Sequence, residues 1–251
     1  MNLLFWIFYS ILALFIGSFL NVVALRVPKK ESIIFPPSHC PICQHRLSVL
    51  DLIPVLSYIG LKGKCRYCGT KISPIYPLGE LLTLFIFLLL PYFVGYNTEL
   101  VIGYPFVMLM IAVTLSDLKY QIIPNRLTYP GIVLLFVLRL WIHTEAIWSY
   151  LIGAFVGSGF LLLVAILSRG GMGGGDIKLF FFIGLALGWQ NTLLALFLSM
   201  AIGAIFGGIL LITGKVQRKQ MIPFGPFIFI GTIITYFYGE EIWRWYLTLV
   251  I

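Results

Sequence analysis

Charged side chains are scarce in this sequence. Only 10% of its residues are charged and 60% are apolar, whereas a soluble globular domain carries about 25% charged residues. This composition excludes an ordinary soluble domain and indicates a membrane protein. Between Met1 and Arg26 there is no charge at all, and the run lacks the basic lead-in of a cleavable signal. We therefore expect a retained first transmembrane helix.

The sequence also lacks a basic stripe, although its net charge is +8. Its lysines and arginines occur in short groups between apolar runs, unlike the basic and aromatic surfaces that bind nucleic acid. The glycine-rich stretch at 168–178 has no GK[ST] ending, which argues against a phosphate-binding loop. We expect membrane lipids as the surroundings and no nucleic acid as a partner.

Long uncharged runs predict an all-α polytopic membrane protein with about eight transmembrane helices. One crossing needs about 20 helical residues. The run at 179–214 is about twice that length, so we expect it to fold back at 188–191, with a short helix that starts near Asp176. A span at 128–142 contains Arg139, which can snorkel to the interface near a helix end. The other runs are 2–25, 81–98, 100–116, 146–168 and 220–239, and 239–251 is expected to form an outer interfacial helix.

Basic residues follow alternate spans. They occur after the first, third, fifth and seventh spans and are missing from the other connections, which matches the positive-inside rule with the N-terminus outside. Asp117 and Asp176 then both lie on the cytoplasmic side. The basic residues are Arg26, Lys29, Lys30, Arg46, Lys62, Lys64, Arg66, Lys71, Lys119, Arg126, Arg169, Lys178, Lys215, Arg218 and Lys219.

The four cysteines lie in one extramembrane segment, 26–76. "CPIC" at 40–43 and "CRYC" at 65–68 form two CxxC knuckles with the spacing of four-thiolate zinc sites. Disulfides are disfavoured in the cytoplasm, and metal binding would supply folding free energy to a loop too small for its own core. A redox or unmetallated pair is the alternative, and His39 and His45 are interpreted as solvated neighbours. The expected ligands of a structural zinc ion are Cys40, Cys43, Cys65 and Cys68.

Two acidic residues lie at inner helix ends. Asp117 ends the third span and Asp176 begins the sixth, where an ionisable group is costly unless it is paired or used. Each alone could be solvated by headgroup water or paired with Lys119 or Lys178. Two carboxyl groups together in a poorly hydrated cleft cannot both ionise easily. One can then polarise a carbonyl group while the other removes a proton from water, as in aspartic proteases.

The glycines before Asp176 fit this chemistry. An extended peptide must reach the two acids with its backbone exposed. Residues without a Cβ allow close approach and unusual dihedral angles. The glycine run and the two acids together favour peptide hydrolysis that needs no metal.

Five motifs occur in order along the chain, from near its start to residue 179. They are "GSFLNVVALRVP" (17–28), the two CxxC knuckles with "LIPVLSYIGLKGKCRYCG" (52–69), "YPLGELLT" (76–83), "SDLKYQIIPNRLTYP" (116–130) and "GMGGGDIKL" (171–179). This set resembles the type IV prepilin peptidases, which are membrane aspartic proteases of the GxGD class. It is most similar to the Gram-positive members that process competence pseudopilins.

The resemblance implies that Asp117 and Asp176 are the catalytic pair and that Gly173 and Gly175 are the glycines of GxGD. It implies cleavage of the basic leader of a type IV prepilin or pseudopilin after a glycine, at the cytoplasmic face of a bacterial inner membrane. Many members then methylate the new N-terminus with S-adenosylmethionine, an activity to which the cysteine loop belongs. Glu80 matches a family glutamate associated with methyl transfer.

The resemblance also divides the chain by function. It implies a first transmembrane helix at 1–25, a cysteine module linked to methyl transfer at 26–76 and a membrane-embedded peptidase core at 77–251. Lys119 stands where many relatives carry an acid, and Asn125 stands where aspartate is common, although Asn125 can still cap the fourth helix. No strand–GxGxxG–helix pattern locates the methyl donor.

Two other functions stay open at this point. Intramembrane carboxylates and glycine-broken helices also occur in proton-coupled transporters and channels, but the sequence has no inverted repeat and both acids are expected at the inner surface. A zinc-anchored scaffold for an assembly machine is the other alternative. Its function would not depend on either aspartate.

Overall fold

A computed structural model describes residues 3–168, 171–214 and 222–250. These residues form eight α-helices and one short 3-10 helix, and they contain no β-strand. The elements are α1 (Leu3–Arg26), the 3-10 helix (Val49–Leu52), α2 (Leu56–Gly60), α3 (Ile75–Val94), α4 (Glu99–Tyr120), α5 (Asn125–Trp141), α6 (Ile147–Leu167), α7 (Gly174–Ile212) and α8 (Gly225–Val250).

Five of these helices are long and apolar enough to cross a membrane, namely α1, α3, α4, α6 and α7. A helix satisfies its backbone hydrogen bonds internally, as the hydrocarbon core requires. The chain is therefore an all-α, multi-pass membrane protein, as the sequence predicts, while the count of eight crossings stays a prediction. By its internal contacts the chain divides into two compact units, Met1–Gly95 and Tyr96–Ile251.

The orientation of the helices in the membrane also stays a prediction. Some of the basic residues on which this prediction rests lie outside the described residues. These are Arg169, Lys215, Arg218 and Lys219.

In the first unit, α1 and α3 pack antiparallel. The Tyr9 hydroxyl donates to the Phe87 carbonyl at 2.7 Å, and the Asn21 side chain donates to the Tyr76 carbonyl at 2.8 Å. A Cβ placed on Gly17 would lie 2.8 Å from a Cα atom of α3. The small residue at that position therefore allows the two helices to approach closely.

In the second unit, α4, α5 and the first half of α7 pack around buried aromatic rings. Phe106 on α4 stacks on Phe182 on α7 with ring centroids 5.5 Å apart. A Cβ on Gly131 of α5 would meet both Leu109 of α4 and Phe182. This packing places the end of α4, the start of α5 and the start of α7 at the same end of the unit.

The helix α7 consists of two helical halves that meet at Gly188. The φ of 74° and ψ of 173° at Gly188 interrupt the helix, and glycine adopts a positive φ without steric cost. Gly157 on α6 faces Phe180 and Thr192 at once, so the two halves run past the same point of α6 in opposite directions. The fold-back that the sequence predicts at 188–191 is confirmed.

The helix α8 packs antiparallel to the second half of α7. Gly231 faces Ser199 and Gly239 faces Asn191. The helix continues through Gly239 to the end of the described residues, so 239–250 is helical as expected, while its place at the outer interface stays a prediction. A glycine inside a helix costs only about 1 kcal/mol relative to alanine, which is too little to end this one.

Arg139 does not snorkel to an interface. The residue is 3% exposed, and it donates to the Glu99 carboxylate of α4 at 2.7 and 2.9 Å. It also donates to the carbonyls of Leu185 and Ala186 and lies 4.1 Å from the centre of the Tyr150 ring. The expectation of snorkelling is wrong because a partner on a neighbouring helix neutralises the charge inside the protein.

Candidate active site and metal cluster

Asp117 and Asp176 come together inside the second unit. Asp117 lies near the end of α4 and Asp176 in the first turn of α7, and they are 6% and 8% exposed. The two helices pack against each other, and the two carboxyl groups are close enough for their charges to interact. Two acids that are distant in sequence thus form one buried acidic pair.

Each of the two acids is close to the N-terminus of a helix, Asp176 to that of its own helix and Asp117 to that of α8. Asp176 is in the first turn of α7, and Asp117 accepts a 2.7 Å hydrogen bond from the backbone N–H of Gly225, where α8 begins. A helix N-terminus carries a partial positive charge from its unpaired N–H groups. Both helix ends therefore favour a negative charge on the pair. Gly225 was not predicted as a site residue, and its one signal in the sequence is the Gly-Pro pair that opens an apolar run.

Gly173 and Gly175 are required for space. A Cβ on Gly173 would lie 3.0 Å from Oδ2 of Asp176, and one on Gly175 would lie 2.7 Å from the Cβ of Ile123. Gly174 between them faces open space. None of the three has a positive φ. Gly173 and Gly175 therefore serve close packing, and the expectation of unusual dihedral angles is wrong for these three glycines.

In the part of the chain that the structure describes, no lysine or arginine forms an ion pair with either acid. Lys178 donates instead to Oδ1 of Asn125 at 2.9 Å and lies over the ring of Tyr129, while Lys119 is exposed. Pairing with Lys178, one of the alternatives from the sequence, is therefore wrong. The expected helix cap by Asn125 is also wrong, because its side chain binds Lys178 and caps nothing.

The four cysteines of the predicted zinc site converge. Their Sγ atoms all lie within 4.8 Å of one another. Those of Cys40 and Cys68 are 3.8 Å apart, a separation that suits sulfurs bound at about 2.3 Å to one tetrahedral metal. After each knuckle the chain turns through a positive φ, 57° at Gln44 and 70° at Gly69. The cluster could hold a metal ion such as zinc.

Two of these thiols are prepared for metal binding by their surroundings. The backbone N–H groups of Cys43 and Ile42 lower the pKa of Cys40. The hydroxyl and the backbone N–H of Thr70 lower the pKa of Cys68 to about 6. Because the thiolate is the form that binds metals, the local fold favours the ligating state of both sulfurs.

Asp51 connects the segments around the two knuckles. Its carboxylate accepts hydrogen bonds from Arg66 at 2.6 Å, from the Tyr67 hydroxyl at 3.1 Å and from the hydroxyl and backbone N–H of Ser48. Burial raises the pKa of Asp51, but these hydrogen bonds outweigh it and lower the pKa to about 2. His45 lies against the Tyr67 ring in a tilted arrangement and stays exposed, as expected for a neighbour that is not a ligand.

Glu80 lies inside α3, because that helix begins at Ile75 and not at the start of the predicted run 81–98. The residue is 7% exposed. Its Oε2 accepts a 2.7 Å hydrogen bond from the backbone N–H of Val55. Glu80 is thus a buried acid that binds the backbone of the cysteine module.

Two family models match the chain. The Bacterial Peptidase A24 N-terminal domain matches residues 11–94, and the Type IV leader peptidase family matches residues 104–208. A prepilin leader peptidase/N-methyltransferase of Bacillus subtilis (strain 168) is 38% identical over 241 residues, which cover 96% of this chain and 97% of that protein. The chain belongs to the type IV leader peptidase family.

Other relatives of this leader peptidase chain also align over nearly its whole length. Proteins of the same name from Aeromonas salmonicida (strain A449) and Pseudomonas aeruginosa are 34% and 31% identical over 282 and 265 residues. The alignments cover 98% and 94% of this chain and 96% and 91% of those proteins. No solved structure matches the chain. The cysteine cluster and Glu80 fall in the first matched region, and the acidic pair falls in the second.

Proposed function

We propose that this leader peptidase removes the basic leader of type IV prepilins or pseudopilins and then methylates the new N-terminus. Family membership and the similarity to proteins named for both activities support the proposal. The observation that carries the peptidase half is the burial of Asp117 and Asp176 as two neighbouring acids. A scaffold would not need such a pair.

Asp117 and Asp176 are the proposed catalytic residues, and together they hold one proton. The ionised carboxylate removes a proton from water, and the hydroxide formed attacks the carbonyl carbon of the scissile bond. The protonated carboxyl group gives its proton to the carbonyl oxygen. When the tetrahedral intermediate collapses, the C–N bond breaks and the leaving nitrogen takes up a proton. Low exposure strengthens these electrostatic interactions.

Gly173 and Gly175 are the proposed active-site loop. Side chains at these positions would crowd Asp176 or Ile123, so bare backbone keeps the acid in place and leaves room for an extended substrate. We retain 77–251 as the peptidase core.

The cysteine cluster is the proposed site of a structural zinc ion. Four sulfur ligands close the coordination shell and leave no position for a substrate, so the metal holds the two knuckles together without taking part in chemistry. We assign the module at 26–76 to methyl transfer and the helix at 1–25 to membrane anchoring. S-adenosylmethionine is the proposed methyl donor, which supplies an electrophilic methyl group to the new amine.

We place the protein in the cytoplasmic membrane of a bacterium, with the N-terminus outside and the acidic pair facing the cytoplasm. The distribution of lysine and arginine between the spans supports this orientation. A basic leader on the cytoplasmic side would then approach an acidic pair, which favours binding by charge. Lipids surround the helices, and no nucleic acid is expected to bind.

One experiment tests both activities. Purified protein is incubated with a synthetic prepilin leader peptide, with and without S-adenosylmethionine, and the products are weighed. We expect cleavage in both samples and the added mass of one methyl group only with the donor. Asp117→Asn and Asp176→Asn should abolish cleavage, while Glu240→Gln, an exposed acid on α8, should not. Proton flux into liposomes without any cleavage would favour the transporter alternative.

A further inference from the structure

We propose that Glu80 is a positioning residue for methyl transfer, whose buried carboxylate holds Val55 in a strained turn and thereby fixes the second half of the cysteine module. The inference rests on the proposed methyltransferase function of that module. It differs from a direct role, in which the Glu80 carboxylate would touch the substrate amine or the methyl donor.

The side chain of Glu80 is committed to partners within the protein. Its Oε2 accepts the Val55 N–H at 2.7 Å, and the Ser18 hydroxyl of α1 faces the same carboxylate. The backbone of Glu80 is fixed as well, because a Cβ on Gly17 would lie 2.8 Å from its Cα. The packed helices α1 and α3 therefore hold the cysteine module through a hydrogen bond to the backbone N–H of Val55.

Val55, the hydrogen-bond partner of Glu80, has a backbone conformation that is rare for valine. Val55 has φ 60° and ψ −49°, and the N–H of Leu56 donates to the Pro54 carbonyl at 2.6 Å. The three residues form the rare γ-turn with a positive central φ. A β-branched residue with positive φ is an outlier, and such strain persists only where the surroundings impose it. The Glu80 hydrogen bond acts directly on the strained residue.

The turn at Val55 sets the position of the segments beside the second knuckle. The N–H of Ile59 donates to the Val55 carbonyl at 3.0 Å, so α2 starts from the turn. Tyr58 on α2 accepts the N–H of Gly63 at 2.8 Å through its carbonyl and donates to the Ile72 carbonyl through its hydroxyl. Gly63 and Ile72 flank the second knuckle and bond to each other at 2.8 Å. A continuous chain of contacts thus connects Glu80 to that knuckle.

Three substitutions separate geometry from charge. Glu80→Ala removes the acceptor, Glu80→Gln keeps an acceptor oxygen without the charge, and Val55→Gly removes the strain, so that the turn no longer needs to be held. Because a small misplacement of reacting groups costs up to about a hundredfold in rate, we expect Glu80→Ala to lower kcat for methylation about tenfold to a hundredfold. Glu80→Gln should stay within about threefold of the wild-type rate. The double variant Glu80→Ala/Val55→Gly should recover most of the rate that Glu80→Ala loses.

The controls use the same full-length protein. Val49→Gly lies in the exposed 3-10 helix of the same module and should not restore the rate of Glu80→Ala. The KM for the peptide and for the donor should change less than about threefold in Glu80→Ala, because a positioning residue touches neither of them. Leader cleavage, which is proposed to depend on Asp117 and Asp176, reports that the second unit of each variant is folded. Amide hydrogen exchange at 53–60 should accelerate in Glu80→Ala and return to the wild-type rate in Glu80→Gln.

Equal loss of methylation in Glu80→Gln and Glu80→Ala, without recovery by Val55→Gly, would overturn the proposal and assign a chemical role to the charge. Unchanged exchange at 53–60 in Glu80→Ala would overturn it as well, even in a preparation that methylates nothing. If the proposed methyltransferase function is wrong, the wild-type protein will not methylate the peptide. If only the inference about Glu80 is wrong, the wild-type protein will methylate the peptide, and the differences among the variants will not follow the expected order.

Discussion

Two buried groups of charged side chains lie at opposite ends of the same helices in the second unit. At one end, Arg139 of α5 pairs with Glu99 of α4, and every guanidinium nitrogen donates to a carboxylate or a carbonyl. At the other end, Asp117 of α4 and Asp176 of α7 are both acids, and the described residues provide no ion-pair partner for either of them. One group is balanced and the other is not.

The difference separates architecture from chemistry. Removing one partner from a balanced buried pair leaves an uncompensated charge and costs about 3–5 kcal/mol, so the Arg139 group holds helices together. A like-charged buried pair lowers stability, and natural proteins retain such local conflicts mainly where function uses them. The two ends of α4 should therefore respond to substitution in opposite ways.

The largest effect is expected on activity at the acidic end. Asp117→Asn and Asp176→Asn preserve shape but cannot pass a proton, so leader cleavage should fall by at least about a thousandfold. Removal of like-charge repulsion should leave the midpoint of thermal unfolding unchanged or raise it. Cleavage rates and thermal unfolding in detergent measure the two quantities. Retained cleavage together with a lowered midpoint would reverse the roles assigned to the two ends.

The next effect is expected on stability at the balanced end. Arg139→Met should lower the free energy of unfolding by about 3–5 kcal/mol because it leaves the Glu99 carboxylate without its partner. The double substitution Arg139→Met/Glu99→Met should recover much of that loss. Cleavage per folded molecule should stay close to wild type. Arg244→Met is the matched control, since Arg244 pairs with Glu240 on the exposed surface of α8, and it should cost no more than about 1 kcal/mol. Equal losses from both arginines would refute the comparison.

The acidic end could be predicted from the sequence better than the balanced end. Asp117 and Asp176 adjoin apolar runs of the length of one crossing, so hydropathy alone predicts that both lie at helix ends on the same side. Nothing in the sequence links Arg139 to Glu99, because hydropathy predicts where a helix crosses but not which helices become neighbours. The hydrogen bond from the Gly225 N–H to Asp117 could not be predicted either, because every residue except proline has a backbone N–H and the sequence does not show which of them bonds to an acid.

Local spacing predicts well where the chemistry itself is local. The two CxxC knuckles predict the cysteine cluster because each knuckle needs only a four-residue turn, and the length of 179–214 requires the break that occurs at Gly188. The glycines at 173–175 show the limit of such reasoning. Their number suggested unusual dihedral angles, whereas their role depends on distant partners such as Ile123.

Glycine substitutions should have intermediate effects and sharpen the picture of the acidic end. A Cβ on Gly225 would lie 2.7 Å from Oδ2 of Asp117, and one on Gly175 would lie 2.7 Å from Ile123. Displacing a catalytic carboxyl group by a fraction of an ångström lowers the rate, so each alanine variant should lose about tenfold to a hundredfold in cleavage. Gly174→Ala faces open space and is the matched control, with a rate near wild type. Similar losses at all three positions would mean that backbone freedom, and not space, is what matters.

The smallest effect is expected at a third group, the Arg66–Asp51 pair of the cysteine module. Its 2.6 Å contact is as short as that of Arg139 with Glu99, but the Arg66 side chain is 46% exposed and that of Arg139 only 4%. The Asp51 side chain is only 3% exposed, but solvent reaches Arg66 and screens the pair from that side, so Asp51→Asn should cost about 1 kcal/mol or less. Hydrogen exchange around the knuckles measures this loss.

The pH dependence of that loss tests its origin. The pKa of Asp51 is lowered to about 2, below the value of about 3.9 of an unperturbed aspartate. The stabilisation is therefore complete above about pH 4 and disappears as the pH falls toward 2. The difference between wild type and Asp51→Asn should stay constant from about pH 5 to 8, because Asp51 does not titrate in that range. If the stability difference between wild type and Asp51→Asn changed within that range, another titrating group would cause it. Solvent screening would then not explain why the exposed Arg66 contributes less than the buried Arg139.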